Sequence, residues 1–273
     1  MPLLNPRSYL FVPGTRPDRF PKACAAGADV VILDLEDSVA PAEKGKARSA
    51  IAEWLSASLP VMVRVNTSES EWFQDDLTLA NSPGIIGVLL PKAERDEEIH
   101  AVVAKFGPNV PILPQIETAR GFRNAMALCS AENVQRLLFG SIDFQLDLGM
   151  VAEEEELLYF RSQIVLDSRL AGILPPVDGV TTDINSPDRV RADTLRARRL
   201  GFGGKMCIHP KQVPIVNECF APTDQEVAWA ARVVEASAAA PGAAISVDGK
   251  MVDRPVLARA EAILAIAAQL RTQ

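Results

Sequence analysis

The chain has 273 residues, 48% hydrophobic and 23% charged, with a formal net charge of −7. That length can bury a sizeable core in one large domain or two smaller ones, and the acidic balance argues against a nucleic-acid or membrane-surface role. No apolar run reaches the ~18–20 residues of a membrane span, and MPLLNPRSYLFVPG lacks the long apolar region and small-residue cleavage site of a signal peptide. Cys24, Cys129, Cys207 and Cys219 form no CxxC pair, so reduced, buried thiols and a cytoplasmic location are expected.

Apolar runs alternate with helical patterns from the start. Strands are expected at 9–12, 30–33, 61–65, 85–90, 110–116, 137–139, 179–182 and 205–208, with helices at about 19–26, 42–56, 72–80, 96–105, 118–129 and 187–200. A further helix of about 20 residues is expected from near residue 153. Eight such alternations point to an α/β (β/α)8 TIM barrel over residues 1–221, its active site at the carboxyl-terminal rim. Residues 222–273 form a short helical extension, with Thr223 as an N-cap, Glu226 three residues on, an Asp-Gly turn and a last amphipathic helix. The extension is too small to fold alone and should pack on the barrel or on a neighbouring subunit.

Groups able to do chemistry follow each apolar run: Arg16, then Asp34, Glu36 and Asp37, then Arg64 and Asn66, Lys92, Glu117, Asp143, Asp183 and His209. Glu117 ends the fifth run, and Asp143 follows the sixth by way of a Gly-Ser turn. Neighbouring strands lie about 5 Å apart, and two acids that close either share a proton or hold a cation. An oxygen-loving divalent ion such as Mg²⁺ is the economical reading. Asp34, Glu36 and Asp37 then either orient metal-bound water or form a solvated loop.

Arg64 lies within strand core, where a lone cation is costly; it either pairs with the acids or receives a substrate oxygen. Arg16, Arg19 and Lys22 suit phosphate groups as well as an ordinary charged helix face. His209 is an acid–base candidate or a His-Pro turn, and His100 falls on a polar helix. Lys92 and Lys205 are Schiff-base candidates, which a metal makes unnecessary. No GxGxxG, GxxxxGK[ST] or GxSxG motif is present.

The segments RSYLFVPGTRPDRFPKA, DVVILDLEDSVAPAEKGKAR, VRVN, LLPKAE, IETARG, FGSIDF and GFGGKMCIHPKQV, in this order, resemble the citrate lyase beta-subunit-like proteins of the HpcH/HpaI aldolase superfamily, relatives of malyl-CoA and citramalyl-CoA lyases. The resemblance spans about residues 7–221 and, more weakly, DGKMVDRPVL. It implies a Mg²⁺-dependent barrel cleaving a carbon–carbon bond in a 3-hydroxyacyl-CoA thioester to acetyl-CoA and a 2-oxo acid. Glu117 and Asp143 match metal ligands and Arg64 a substrate contact. Phe11, Val12, Arg16 and Lys22 match CoA-holding positions, and Ile142, Ile208 and His209 substrate-lining ones. Asp253 resembles an acid delivered from the neighbouring subunit of a homotrimer or hexamer. The compact MVAEEEELLYFRSQ, where malyl-CoA lyases carry a longer insertion, favours citramalyl-CoA or citryl thioesters. Alternatives are a citrate lyase beta subunit acting on an acyl-carrier-protein thioester and a non-catalytic CoA-thioester-binding subunit.

Overall fold

The computed structural model describes residues 5–151, 155–239 and 245–271. Eight parallel strands close in chain order: β1 (Ser8–Pro13), β2 (Val30–Asp34), β3 (Val61–Arg64), β4 (Ile85–Leu90), β5 (Ile112–Ile116), β6 (Leu138–Phe139), β7 (Val177–Asp178) and β8 (Gly204–Cys207). β8 pairs back onto β1, so the chain forms the expected (β/α)8 barrel. The strands read as near-continuous apolar runs because helices cover the outer face while side chains fill the inner one. Tyr9, Val30, Ile32, Met62, Leu89, Leu113, Leu138, Val177 and Met206 form the packed interior.

Helices α1 (Phe20–Cys24), α2 (Lys44–Trp54), α3 (Phe73–Asp76), α4 (Asp96–Phe106), α5 (Ala119–Arg123), α6 (Ala125–Ser130), α7 (Ser141–Leu148), α8 (Leu158–Leu170), α9 (Pro187–Leu200) and α10 (Val213–Phe220) follow the strands. The chain divides into two compact units between Asn217 and Glu218. In the second, α11 (Asp224–Ala239), β9 (Ile245–Val247), β10 (Lys250–Val252) and α12 (Arg254–Arg271) bury Ala230, Val233, Val247, Val252 and Ala260. Thr223 and Glu226 close a capping box ahead of α11, their side chains accepting from each other's backbone amides at 3.1 and 2.8 Å. Asp248 and Gly249, at φ 51° and 75°, turn the hairpin. Among the described residues no helix is long and apolar enough to cross a membrane, and none of the four cysteines, three of them buried, is in a disulfide.

Two expectations need correction. The seventh strand is Val177–Asp178 rather than 179–182; the Gly179 carbonyl accepts from Lys205 Nζ at 2.5 Å, and the chain beyond it leaves the barrel wall. The helix expected over 118–129 is two, broken at Asn124, whose Nδ2 donates to the Glu94 carbonyl at 2.8 Å. Near residue 153 the expected start lies outside the described residues; a 3-10 turn at Glu155–Leu157 leads into α8.

Arg136 ties the amino-terminal ends of three strands together. It is fully buried, with Nη1 donating to the Pro6 carbonyl at 2.8 Å and the Tyr9 hydroxyl at 3.0 Å, and Nε to the Pro175 carbonyl at 2.7 Å. Arg136→Met leaves those acceptors without a donor and is expected to cost about 3–5 kcal/mol. A urea titration reads this as a lowered midpoint; an unchanged midpoint contradicts it.

Candidate active site

Side chains alternate across a strand, so the residue two beyond each interior residue faces the barrel axis one layer nearer the rim. From Tyr9, Ile32, Met62, Leu113, Leu138 and Met206 this step reaches Phe11, Asp34, Arg64, Gln115, Gly140 and Ile208. All six line one cavity of ≈350 Å³, together with Asp37, Ser38, Ser141, Ile142, Asp143, Val180, Thr182 and Met206. The periodicity that packs the core thus also builds the floor of the site.

Asp34 and Arg64 are direct partners in the β2–β3 register, and their side chains form a fork-to-fork pair, Nε to Oδ1 at 2.6 Å and Nη2 to Oδ2 at 2.7 Å. Arg64 therefore pairs with the acids, and its Nη1 reaches Glu36 Oε2 at 3.1 Å. The guanidinium lies over the Phe11 ring, 5.0 Å from its centroid. Burial pushes the Asp34 carboxyl up, but Arg64, Ser38 and the Glu36 amide together hold it below the usual carboxylate range.

Glu117 follows β5, and Asp143 sits in the first turn of α7, after β6. Both face one cation: Lys92 Nζ lies 4.0 Å from Glu117 Oε1 and 3.9 Å from Asp143 Oδ1. The same ammonium stands 2.7 Å from Glu36 and 3.6 Å from Asp37. Glu117 is held by the Lys92 amide, which donates to Oε1 at 2.7 Å, and by Gln115 Nε2, which donates to Oε2. Gly140 completes this cradle: a Cβ there would overlap Glu117 Oε2 and stand 2.6 Å from Glu117 Cβ. Burial pushes the Glu117 carboxyl up to about 8; Lys92 and Arg64 pull it down, while Asp143 and Glu36 raise it.

Hard carboxylate oxygens converging on a position already faced by a cation fit a divalent oxygen-loving ion. Among the described residues no group of three or more His, Cys, Asp or Glu side chains could hold a metal. A cation held by Glu117 and Asp143 alone would keep most of its coordination sphere for water or substrate, as Mg²⁺ commonly does.

Phe11 and Ile208 also line a second cavity of ≈620 Å³, shared with Val12, Arg16, Lys22 and His209. Arg16 is drawn to Asp18 at 2.8 Å, and Lys22 is exposed. His209 Nδ1 accepts from the Lys211 amide at 3.2 Å, and Gln212 Oε1 accepts from the His209 amide at 3.3 Å, so this histidine caps its own turn. Asp253 belongs to the second unit; it is exposed and precedes α12, where Oδ1 accepts from the Val256 amide at 3.1 Å. Sequence reasoning missed Gln115 and Gly140 as holders of Glu117. Gln115 left one signal, as the lone polar residue inside ILPQI.

The family model for HpcH/HpaI aldolase/citrate lyase matches residues 7–210. The citrate lyase subunit beta-like protein of Deinococcus radiodurans is 38% identical over 274 residues, covering 94% of this chain and 96% of the relative. A (3S)-malyl-CoA thioesterase of Cereibacter sphaeroides is 34% identical over 278 residues, covering 96% and 97%. Among solved structures, CitE of Mycobacterium tuberculosis, in complex with magnesium, acetoacetate and coenzyme A, superposes with a TM-score of 0.87 at 34% identity, covering 97% of this chain and 99% of that one. The chain belongs to the HpcH/HpaI aldolase/citrate lyase family.

Gly140→Ala is expected to leave the barrel folded but displace Glu117, removing the rise in melting temperature on adding Mg²⁺; an undiminished rise would contradict the cradle. A divalent cation bound at Glu117 would also have to displace its proton below pH about 8. Its affinity, read by calorimetry, should fall by up to about tenfold per pH unit below that point and level off above it.

Proposed function

We propose that this chain is a Mg²⁺-dependent carbon–carbon lyase that cleaves a 3-hydroxyacyl-CoA thioester such as citramalyl-CoA to acetyl-CoA and a 2-oxo acid. The observation that carries the reading is the convergence of Glu117 and Asp143, from neighbouring βα units, on one cation position, with a buried arginine lining the same cavity as Asp143. Glu117 and Asp143 would hold the ion, whose Lewis acidity would polarise the hydroxy-acid end of the substrate. Family membership and the ligands of the CitE relative, magnesium, acetoacetate and coenzyme A, support the ion and the thioester.

In this reading the hydroxyl proton passes to water, the oxygen left behind forms the carbonyl of the 2-oxo acid, and the bond between that carbon and the thioester α-carbon breaks, its electrons passing to the thioester as an enolate. Asp34 keeps Arg64 charged and aimed, and Arg64 Nη1 turns from Glu36 to the enolate oxygen. Asp253 of a neighbouring copy, in a homotrimer or hexamer, protonates the enolate carbon. The CoA lies along the second cavity, against Phe11, Val12, Arg16, Lys22 and His209. Its thioester crosses Phe11 and Ile208, which line both cavities, while Ile142 lines the acyl end. Asp37 and Glu36 would orient water beside such an ion.

The test is a screen of malyl-, citramalyl- and citryl-CoA with and without Mg²⁺, with products identified. Mg²⁺-dependent release of acetyl-CoA and a 2-oxo acid is expected. Free CoA with an intact hydroxy acid instead defines a thioesterase, the activity for which the Cereibacter relative is named. Turnover confined to a carrier-protein thioester marks a citrate lyase subunit, and binding without turnover a regulatory one; each of these contradicts the proposal. Glu117→Ala should lower Mg²⁺-stimulated kcat more than about a hundredfold. Asp253→Asn should lower kcat roughly 10²–10⁴-fold with KM little changed, and full activity in either variant removes that residue from its role.

A further inference from the structure

Lys92 does two separate things in the site, with two separate parts. Its backbone is left-handed, at φ 46°. The other non-glycine residues with positive φ among the described ones are Asn133 and Asp248, types that tolerate that region, whereas a lysine there is strained. The strained turn coincides with the 2.7 Å hydrogen bond from the Lys92 amide to Glu117 Oε1, and strain kept at a functional site reads as positioning. Its ammonium meanwhile lies within 4.0 Å of four carboxylates, those of Glu36, Asp37, Glu117 and Asp143. Two nitrogens of Arg64 are committed to Asp34. Lys44 is spent on the Leu35 and Glu36 carbonyls, each 2.7 Å from its ammonium, and feels Glu36 and Asp37 from there; the charge in direct contact with the other four acids is that of Lys92 and the remaining arm of Arg64.

We propose that Lys92 is the resident counter-cation of this cluster: its ammonium holds the four acids together when no metal is bound and competes with a divalent ion for Glu117 and Asp143, while its amide keeps Glu117 aimed in both states. This rests on the reading that those two acids take Mg²⁺. An ammonium already within 4.0 Å of both oxygens repels a second cation sharing them. The side chain is 32% exposed, and Glu36 gives it a partner 2.7 Å away that need not be surrendered when a metal enters. Lys92 is thus a positioning residue whose removal should strengthen metal binding, the opposite of what loss of an ordinary structural contact would do.

The full-length protein and its Lys92→Met and Lys92→Gly variants are titrated with MgCl₂ by calorimetry and melted with and without the ion. Glycine keeps the amide and adopts the left-handed backbone without strain, so it separates the ammonium from the turn. Both variants are expected to bind Mg²⁺ about tenfold or more tightly than the unaltered chain, to melt at lower temperature without the ion, and to gain more from it. Wild-type binding with unchanged or weakened affinity in a folded variant overturns this inference and leaves the lyase reading standing. Absence of Mg²⁺ binding in all three proteins overturns both. Failure of both variants to fold with saturating Mg²⁺ also overturns it, since the ion should supply the missing charge.

Discussion

Five carboxylates share the mouth of the barrel with Arg64 and Lys92, and Lys44 stands beside them on the Leu35 and Glu36 carbonyls; the balance among those charges governs the site. Asp34 and Arg64 neutralise each other through a doubly bonded pair, which makes a buried guanidinium tolerable and fixes its direction. That leaves Glu36, Asp37, Glu117 and Asp143 in surplus, with Glu117 buried so deeply that it tends to keep its proton. Such a cluster is stable without added charge only in part, and it draws in either protons or a metal. In the proposed function this surplus is what would draw a divalent ion to the barrel mouth.

The barrel places the groups and close packing aims them. Two-residue alternation carries Phe11, Asp34, Arg64, Gln115 and Ile208 to the layer above the core, and the parallel register sets Asp34 beside Arg64. Glu117 then has room only because Gly140 lacks a side chain. Gln115 and the Lys92 amide each take one of its oxygens. Its position is therefore fixed by three residues on three strands or their ends, so a substrate would meet a carboxylate already in place.

Much of this was legible because polar residues interrupt apolar runs. Arg64 inside VMVRVN, Glu117 after ILPQI and Asp143 after a two-residue strand stand out from their neighbours, and eight alternations defined the barrel. The sequence left open whether Arg64 meets acids or substrate, and strand register answers for the acids. Phe11, Ile142 and Ile208 carry no chemical signal of their own and entered through resemblance alone. What the sequence did not reveal depends on approach between distant segments. Gly140 against Glu117 and the Asn124–Glu94 contact that splits a helix have no local signature, nor does the left-handed turn at Lys92, a residue type that gives no hint of it. The seventh strand shifted because Val177, not Val180, supplies the barrel's interior position, leaving Gly179 to receive Lys205.

The central claim is that Glu117 and Asp143 grip one ion together. Anomalous diffraction from crystals grown with Mn²⁺, a stand-in for Mg²⁺, locates that ion directly. A single strong peak is expected at the barrel mouth, within bonding distance of one oxygen of each acid, about 2.0–2.1 Å for Mg²⁺ itself, with Lys92 Nζ drawn away toward Glu36. A peak that touches only one of the two acids, or a mouth without a peak and Lys92 still facing both, would contradict that claim.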